Sequence, residues 1–201
     1  KESLYTENLK KFIINLKNKS SDLFTEDEVR FGLNKLSPSD AREDLEPEHL
    51  IDHLINENEM ILGFIDIIEQ TSSKIKNIKS YQEAKEDIRV LLNNTNHIIG
   101  TEPHNQKEET VLFPELNKKS TYDILSVIMK EHDRINKYQY EFQDLLLKIN
   151  PVNYSELKEK ITKIEELYCN AIKNKINKEN YLLYPLTLKL ITDPKIWHEM
   201  K

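Results

Sequence analysis

His104 and Glu108 stand four residues apart in the stretch HNQKEETVLFP, residues 104–114. On a helix, positions i and i+4 share a face and lie about 6 Å apart along the axis, at a rise of ~1.5 Å per residue. An imidazole nitrogen and a carboxylate oxygen placed that way can reach one metal ion. The stretch has a near-echo 71 residues later, KINKENYLLYP, residues 175–185. Glu179 and Pro185 repeat Glu108 and Pro114, Leu182 stands for Val111 and Tyr184 for Phe113. The first letter differs: Lys175 opens the second copy where His104 opens the first. Two further stretches carry the same spacing, His53 with Glu57 in HLINENE and His132 with Asn136 in HDRIN. Imidazole with carboxylate suits iron, manganese or zinc, and carboxylates able to bridge between histidines favour a pair of irons. Open positions on such ions would admit O₂, NO or peroxide.

One His-x-x-x-Glu pair on a helix is usually a surface pair. Here three of the six histidines open a pair at this spacing, two with Glu and one with Asn, each in a separate part of the chain. The apolar runs after these pairs (Met60-Ile61-Leu62, Val111-Leu112-Phe113, Leu182-Leu183-Tyr184) read as core, and Pro114 and Pro185 are expected to end or kink their helices. Tyr184 is assigned no redox role. No residue announces a general acid or a nucleophile.

These residues need long helices to hold them. The first runs from about Glu48 to Lys76. Ser80 with Glu83 caps a second, which reaches about Lys118 with a disturbance at GTEP, residues 100–103. Ser120 with Asp123 opens a third, stopped by Asn150-Pro151. Asn153 with Glu156 opens a fourth, which runs to about Leu190, and Asp193-Pro194 begins a last short helix containing Trp197. Four long helices with short connections predict an all-α, up-down antiparallel four-helix bundle. Ahead of it, residues 4–18 and 25–36 read as helices and 37–47 as a polar linker. The division expected is an N-terminal appendage over 1–45 and the bundle over 46–201.

Composition agrees with this. Only three of 201 residues are glycine, well below the roughly 7% average, and sheets joined by tight turns need more. The net charge of −6, with lysines dispersed among glutamates, excludes a nucleic-acid-binding stripe. The single Cys169 excludes an intramolecular disulfide and reads as structural. No apolar run approaches the ~18 residues of a membrane span, and no signal peptide is visible, so a soluble cytoplasmic protein is expected. Gly63 reads either as a close-packing position or as a tolerated glycine.

The phrases HLIDHLINEN, EPHNQKEETVLFPEL, VIMKEHDRI and NKINKENYLLYP resemble the hemerythrin-like, or HHE cation-binding, family over roughly residues 46–191. The resemblance implies a four-helix bundle around a non-haem di-iron centre. Its metal positions fall on His53, His104, His132, Glu108 and Glu179, with Glu57 and His49 as further matches in the first helix. The family pattern has histidine where this chain has Lys175, and a second His or a Glu where it has Asn136. Three accounts of Lys175 are open. It turns outward; or its ammonium takes the place of the second cation against Glu108, Glu179 or Glu57; or another histidine, His49 or His97, substitutes. His97 is opposed by a gap of ~10 Å to His104 and by the helix reset at Gly100 and Pro103. His198 reads as surface.

The function implied is binding or sensing of O₂, NO or peroxide at iron, or the holding of iron. The alternatives are a degenerate bundle, with one metal or none, acting as a sensor or interaction module, and a bundle that holds another ligand. The N-terminal helices are expected to dock a protein partner or to cover the bundle.

Overall fold

The computed structural model describes residues 42, 45–46, 48–119, 124–149 and 153–200. The helices expected over 4–18 and 25–36 and the cap expected at Ser120 and Asp123 lie outside them. Among the described residues there is no strand, and no helix is long and apolar enough to cross a membrane.

Helix α1 spans Leu50–Asn77 and buries a residue every three or four positions: Ile51, Leu54, Ile55, Asn58, Ile61, Ile65, Ile68, Ser72 and Ile75. That period is one helix face, and it is what packs. Three residues later α2, Tyr81–Ile99, begins, with the Ser80 side chain accepting from Glu83 N–H as its cap. So short a link turns α2 back along α1. Gly100 and Thr101 then break the chain, and helix resumes as α3 (Glu102–Lys107), a π-turn (Glu108–Leu112) and α4 (Phe113–Lys119). Helix α5 spans Ile124–Leu147. Helix α6, Tyr154–Lys178, runs through a second π-turn, Glu179–Leu183, into α7, Tyr184–Leu190. Helix α8, Pro194–Glu199, closes the described chain. Helix α1 packs on α2 and α6, and α5 packs on α2 and α6, so the four long helices form a closed ring.

Three local expectations are resolved, Gly63 in favour of the tolerated glycine. The Asn153 side chain makes no backbone cap and instead donates to Glu156 Oε2 at 3.5 Å. Gly63 gives no close approach, since a Cβ there would meet nothing within 4 Å. Pro114 and Pro185 do not end their helices. Each comes after a π-turn in which the preceding residue bonds five back, Phe113 N–H to the Glu108 carbonyl and Tyr184 N–H to the Glu179 carbonyl.

The π-turns set which residues share a face. In an unbroken α-helix, at about 100° per residue, Phe113 would stand about 180° around the axis from His104. A π-turn absorbs one residue and turns the next helical segment back by about 100°. His104, Glu108, Leu112, Phe113 and Leu116 are therefore all buried together. The same offsets in the second copy bury Lys175, Glu179, Leu183, Tyr184 and Thr187. The echo in sequence is an echo in backbone geometry.

The core falls into two apolar clusters. One contains Ile61, Ile98, Ile135 and Ile176; the other contains Ile55, Leu112, Ile128 and Leu183. Between them on every long helical segment lies a polar residue: Asn58, His104 with Glu108, His132, and Lys175 with Glu179. A polar layer sealed between apolar ones is costly unless each group finds a partner.

Candidate metal centre

That layer is nearly closed to solvent: Glu108 and Glu179 are 0% exposed, His104 and His132 2%, and Lys175 4%. The side chains converge. His132 Nε2 lies 3.4 Å from Glu108 Oε2 and 3.6 Å from Glu179 Oε1. His104 Nε2 lies 3.9 Å from Glu108 Oε2 and 3.9 Å from Glu179 Oε2. One ligand atom from each of His104, Glu108 and Glu179 falls within 4.8 Å of the others.

Three of these buried atoms, His104 Nε2, His132 Nε2 and Glu108 Oε2, have no hydrogen-bond partner, and the fourth, Glu179 Oε1, faces the Lys175 ammonium at 3.0 Å. Buried polar atoms are nearly always paired, so three such atoms gathered beside a carboxylate shared with Lys175 mark a place suited to an occupant. Two imidazole nitrogens and two carboxylate oxygens are a donor set for iron, manganese or zinc.

The outer atoms of the same residues are held. His104 Nδ1 is 3.0 Å from Glu57 Oε2, and Lys107 Nζ donates to the other oxygen of Glu57. His132 Nδ1 is 2.6 Å from Glu109 Oε1. A carboxylate on the far nitrogen fixes the ring, and with Nδ1–H donated to it the neutral ring turns its Nε2 lone pair inward. The carboxylates are held too. Tyr184 OH donates to Glu108 Oε1 at 2.7 Å, and Asn58 Nδ2 donates to Glu179 Oε2 at 3.0 Å.

Lys175 points into the layer. Its Nζ donates to Asn105 Oδ1 at 2.8 Å, lies 3.0 Å from Glu179 Oε1 and 4.0 Å from Glu108 Oε2. Burial disfavours the charged form, but Glu179 and Glu108 together hold the ammonium above its ordinary range. Of the three accounts, the outward lysine is excluded, because the ammonium faces inward and pairs with Glu179.

The sequence model of the hemerythrin HHE cation-binding domain matches residues 49–187. The chain belongs to this family. Among curated proteins none matches the sequence.

Within the HHE domain the expected residues divide. His104, Glu108, His132 and Glu179 are brought together. Glu57 reaches the site only through the back of His104, so it is a positioning residue rather than a direct donor. His53 is exposed, which corrects its expected role. It lies five residues before Asn58, the α1 residue that enters the layer, and so about 140° around the axis from it. His49 is corrected as well. It sits at the N-cap of α1, where Nδ1 accepts from Ile51 N–H at 3.2 Å and the ring packs 4.3 Å from Trp197. Nine residues separate it from Asn58, ~13 Å along the helix. His97 is exposed and stacks on Phe64 with ring centroids 5.1 Å apart. No substitute histidine enters the layer among the described residues.

Asn58, Asn105, Glu109 and Tyr184 belong to the site and were not assigned from sequence. Tyr184 had a signal: it is the hydroxyl-bearing counterpart of Phe113 in the echo. A second group, Glu69, Glu165 and Cys169, also gathers between α1 and α6. There Lys173 Nζ already pairs with Glu69 at 2.6 Å, and burial pushes the Cys169 thiol up, so it keeps its proton.

The metal-free domain has a defined pH response. Burial works against charge on His132, yet Glu108 and Glu179 raise it from 6.5 to about 9. A raised group contributes stability below its unfolded value and loses it as pH climbs through the folded one. Glu57, held by His104 against burial and helped by Lys107, is lowered from 4.5 to about 2. Its contribution is present above 4.5 and fades as pH falls toward 2. The metal-free Tm is therefore expected to be highest between these limits and to fall from pH 6.5 to 9. With metal added, which needs the neutral rings, the Tm should rise over that same interval. Melting curves across pH 4 to 10 with and without metal test this; a metal-free Tm that stays level above neutrality would contradict it.

Proposed function

We propose that this HHE domain holds iron between His104, His132, Glu108 and Glu179 and uses it to bind O₂, NO or peroxide. The observation that carries the reading is the convergence of His104 Nε2, His132 Nε2 and Glu108 Oε2, buried without hydrogen-bond partners, beside the Glu179 carboxylate. When bound, iron would supply an open coordination position for a diatomic or peroxide. The chain's own groups do the rest. Glu57 and Glu109 orient the imidazoles, and Tyr184 and Asn58 fix the carboxylates. Lys175 sets a fixed positive charge beside them.

A small cavity adjoins the layer on the Lys175 side, and none of the four donors lines it. This cavity of about 20 Å³ borders Lys175 and Asn105 and is lined by Ile61, Ile98, Ile135 and Ile172. That is room for about one water or a diatomic, not for an organic substrate. Among the described residues no group is placed as a general acid or nucleophile, and the reading is ligand binding or sensing. A partner docked through residues 1–45 would read out the bound state.

The second reading is a metal-free interaction module, favoured by the Lys175–Glu179 ion pair, which neutralises one carboxylate internally. Anaerobic loading with Fe(II), desalting and elemental analysis separate the two. Retained iron, with an absorbance change between about 300 and 400 nm on adding NO, is the expected result. A chain that retains no iron would refute the first reading and leave the second.

A further inference from the structure

We infer that this domain takes one divalent metal ion rather than two, and that the Lys175 ammonium stands in for the second. This rests on the metal-binding reading above and adds a count to it.

The inward-facing donors describe one point. The four nitrogen–oxygen separations among His104, His132, Glu108 and Glu179 are 3.4, 3.6, 3.9 and 3.9 Å. Donors about 2.0–2.2 Å from one tetrahedral ion lie about 3.4 Å apart, with wider gaps as the geometry opens. These distances run over five atoms, since His132 is measured to Glu179 Oε1 and His104 to Glu179 Oε2, and the four side chains fit one ion after small movements.

A second ion would need donors of its own. The remaining groups are turned to other work. Glu57 faces the far side of His104 and Lys107. Glu109 faces the far side of His132. Asn58 turns its amide nitrogen to Glu179, Asn180 and Tyr184, and its buried, unpartnered Oδ1 is one neutral oxygen, not a second set of ligands. Asn136, where the family pattern has a further ligand, is only half-buried. The group that faces Glu108 and Glu179 from the remaining side is Lys175 Nζ, fixed by Asn105.

Charge leads to the same count. Around the layer stand four carboxylates, Glu57, Glu108, Glu109 and Glu179, and two ammonium groups, Lys107 and Lys175. With neutral imidazoles that leaves two negative charges. One divalent ion balances them, and a second would leave the same surplus of opposite sign beside Glu108, Glu179 and Lys175, which are closed to water.

The test is the metal count of the wild-type chain after anaerobic loading with Fe(II) and removal of free metal. About one iron per chain is expected. Two per chain would overturn the inference and leave the metal-binding reading standing. None would overturn both. The lysine is then tested by Lys175→Met, which keeps the stem and removes the charge. Its affinity for Fe(II), read by competition with a chromophoric chelator, should rise at least tenfold, because a cation beside the ion is gone. Equal or weaker affinity would overturn the role given to Lys175. Lys175→Gln provides the same reading should the Met variant fail to fold, and the wild-type count needs no variant.

Discussion

Glu179→Ala is expected to leave the HHE domain without metal and to make the metal-free form about 3–5 kcal/mol less stable. Both effects come from one carboxylate. Its Oε1 faces Lys175 at 3.0 Å and His132 at 3.6 Å, and its Oε2 accepts from Asn58. Removing it strands a buried ammonium and an amide together, and breaking a buried pair on one side costs far more than the pair contributes. Metal is lost because the other converging donors cannot replace it. Glu179→Gln separates the terms. The amide oxygen can still accept from Asn58, so stability should fall less, while metal binding should fail as completely. Chemical unfolding of metal-free protein and elemental analysis of loaded protein measure the two. An alanine variant that holds iron as the wild type does would remove Glu179 from the site.

Much of this arrangement is written in local pattern. The phase of Ile51, Leu54, Ile55, Ile61 and Ile65 predicts α1 over about 48–76, and the helix occupies Leu50–Asn77. The His-x-x-x-Glu spacing finds His104, Glu108 and Glu179 because those pairs lie in phase with the buried face. It misleads at His53 and Glu57 for the same reason. There the spacing is right but the phase is wrong, since Asn58 and not Glu57 continues the apolar stripe. That difference was legible and outweighs the spacing. The direction of Lys175 was not legible. An ammonium at i−4 from a buried glutamate can turn outward, and the group that fixes it inward is Asn105 on another helix. Glu109 was hidden likewise, because its partner comes from α5, and the echo marks Tyr184 as the counterpart of Phe113 without naming its partner Glu108.

Deletion of Thr110 is the second change with a large expected effect, because it acts on the π-turn itself. Thr110 is exposed, and its hydroxyl donates only to the Gln106 carbonyl one turn back. Thr110→Ala should therefore change stability by no more than about 0.5 kcal/mol. Deleting it converts the π-turn to α-helix and rotates the two halves of the phrase by about 100° relative to each other. His104 and Glu108 lie before the turn; Phe113 and Leu116 lie after it, 4% and 0% exposed. Both sets cannot then face inward. If the ligands keep their place, Phe113 and Leu116 leave the core, and losing two such side chains costs more than about 5 kcal/mol. If the core keeps its place, the ligands turn away and iron is not retained. Melting curves and iron content measured on the deletion and on Thr110→Ala decide the matter. A shortened chain that melts and binds iron like the wild type would mean that the extra residue is not what aligns the layer. The pattern behind this is present in HNQKEETVLFP and its echo: buried residues at i, i+4, i+8, i+9 and i+12 drift off any single α-helical face, and both copies carry that drift at the same offsets.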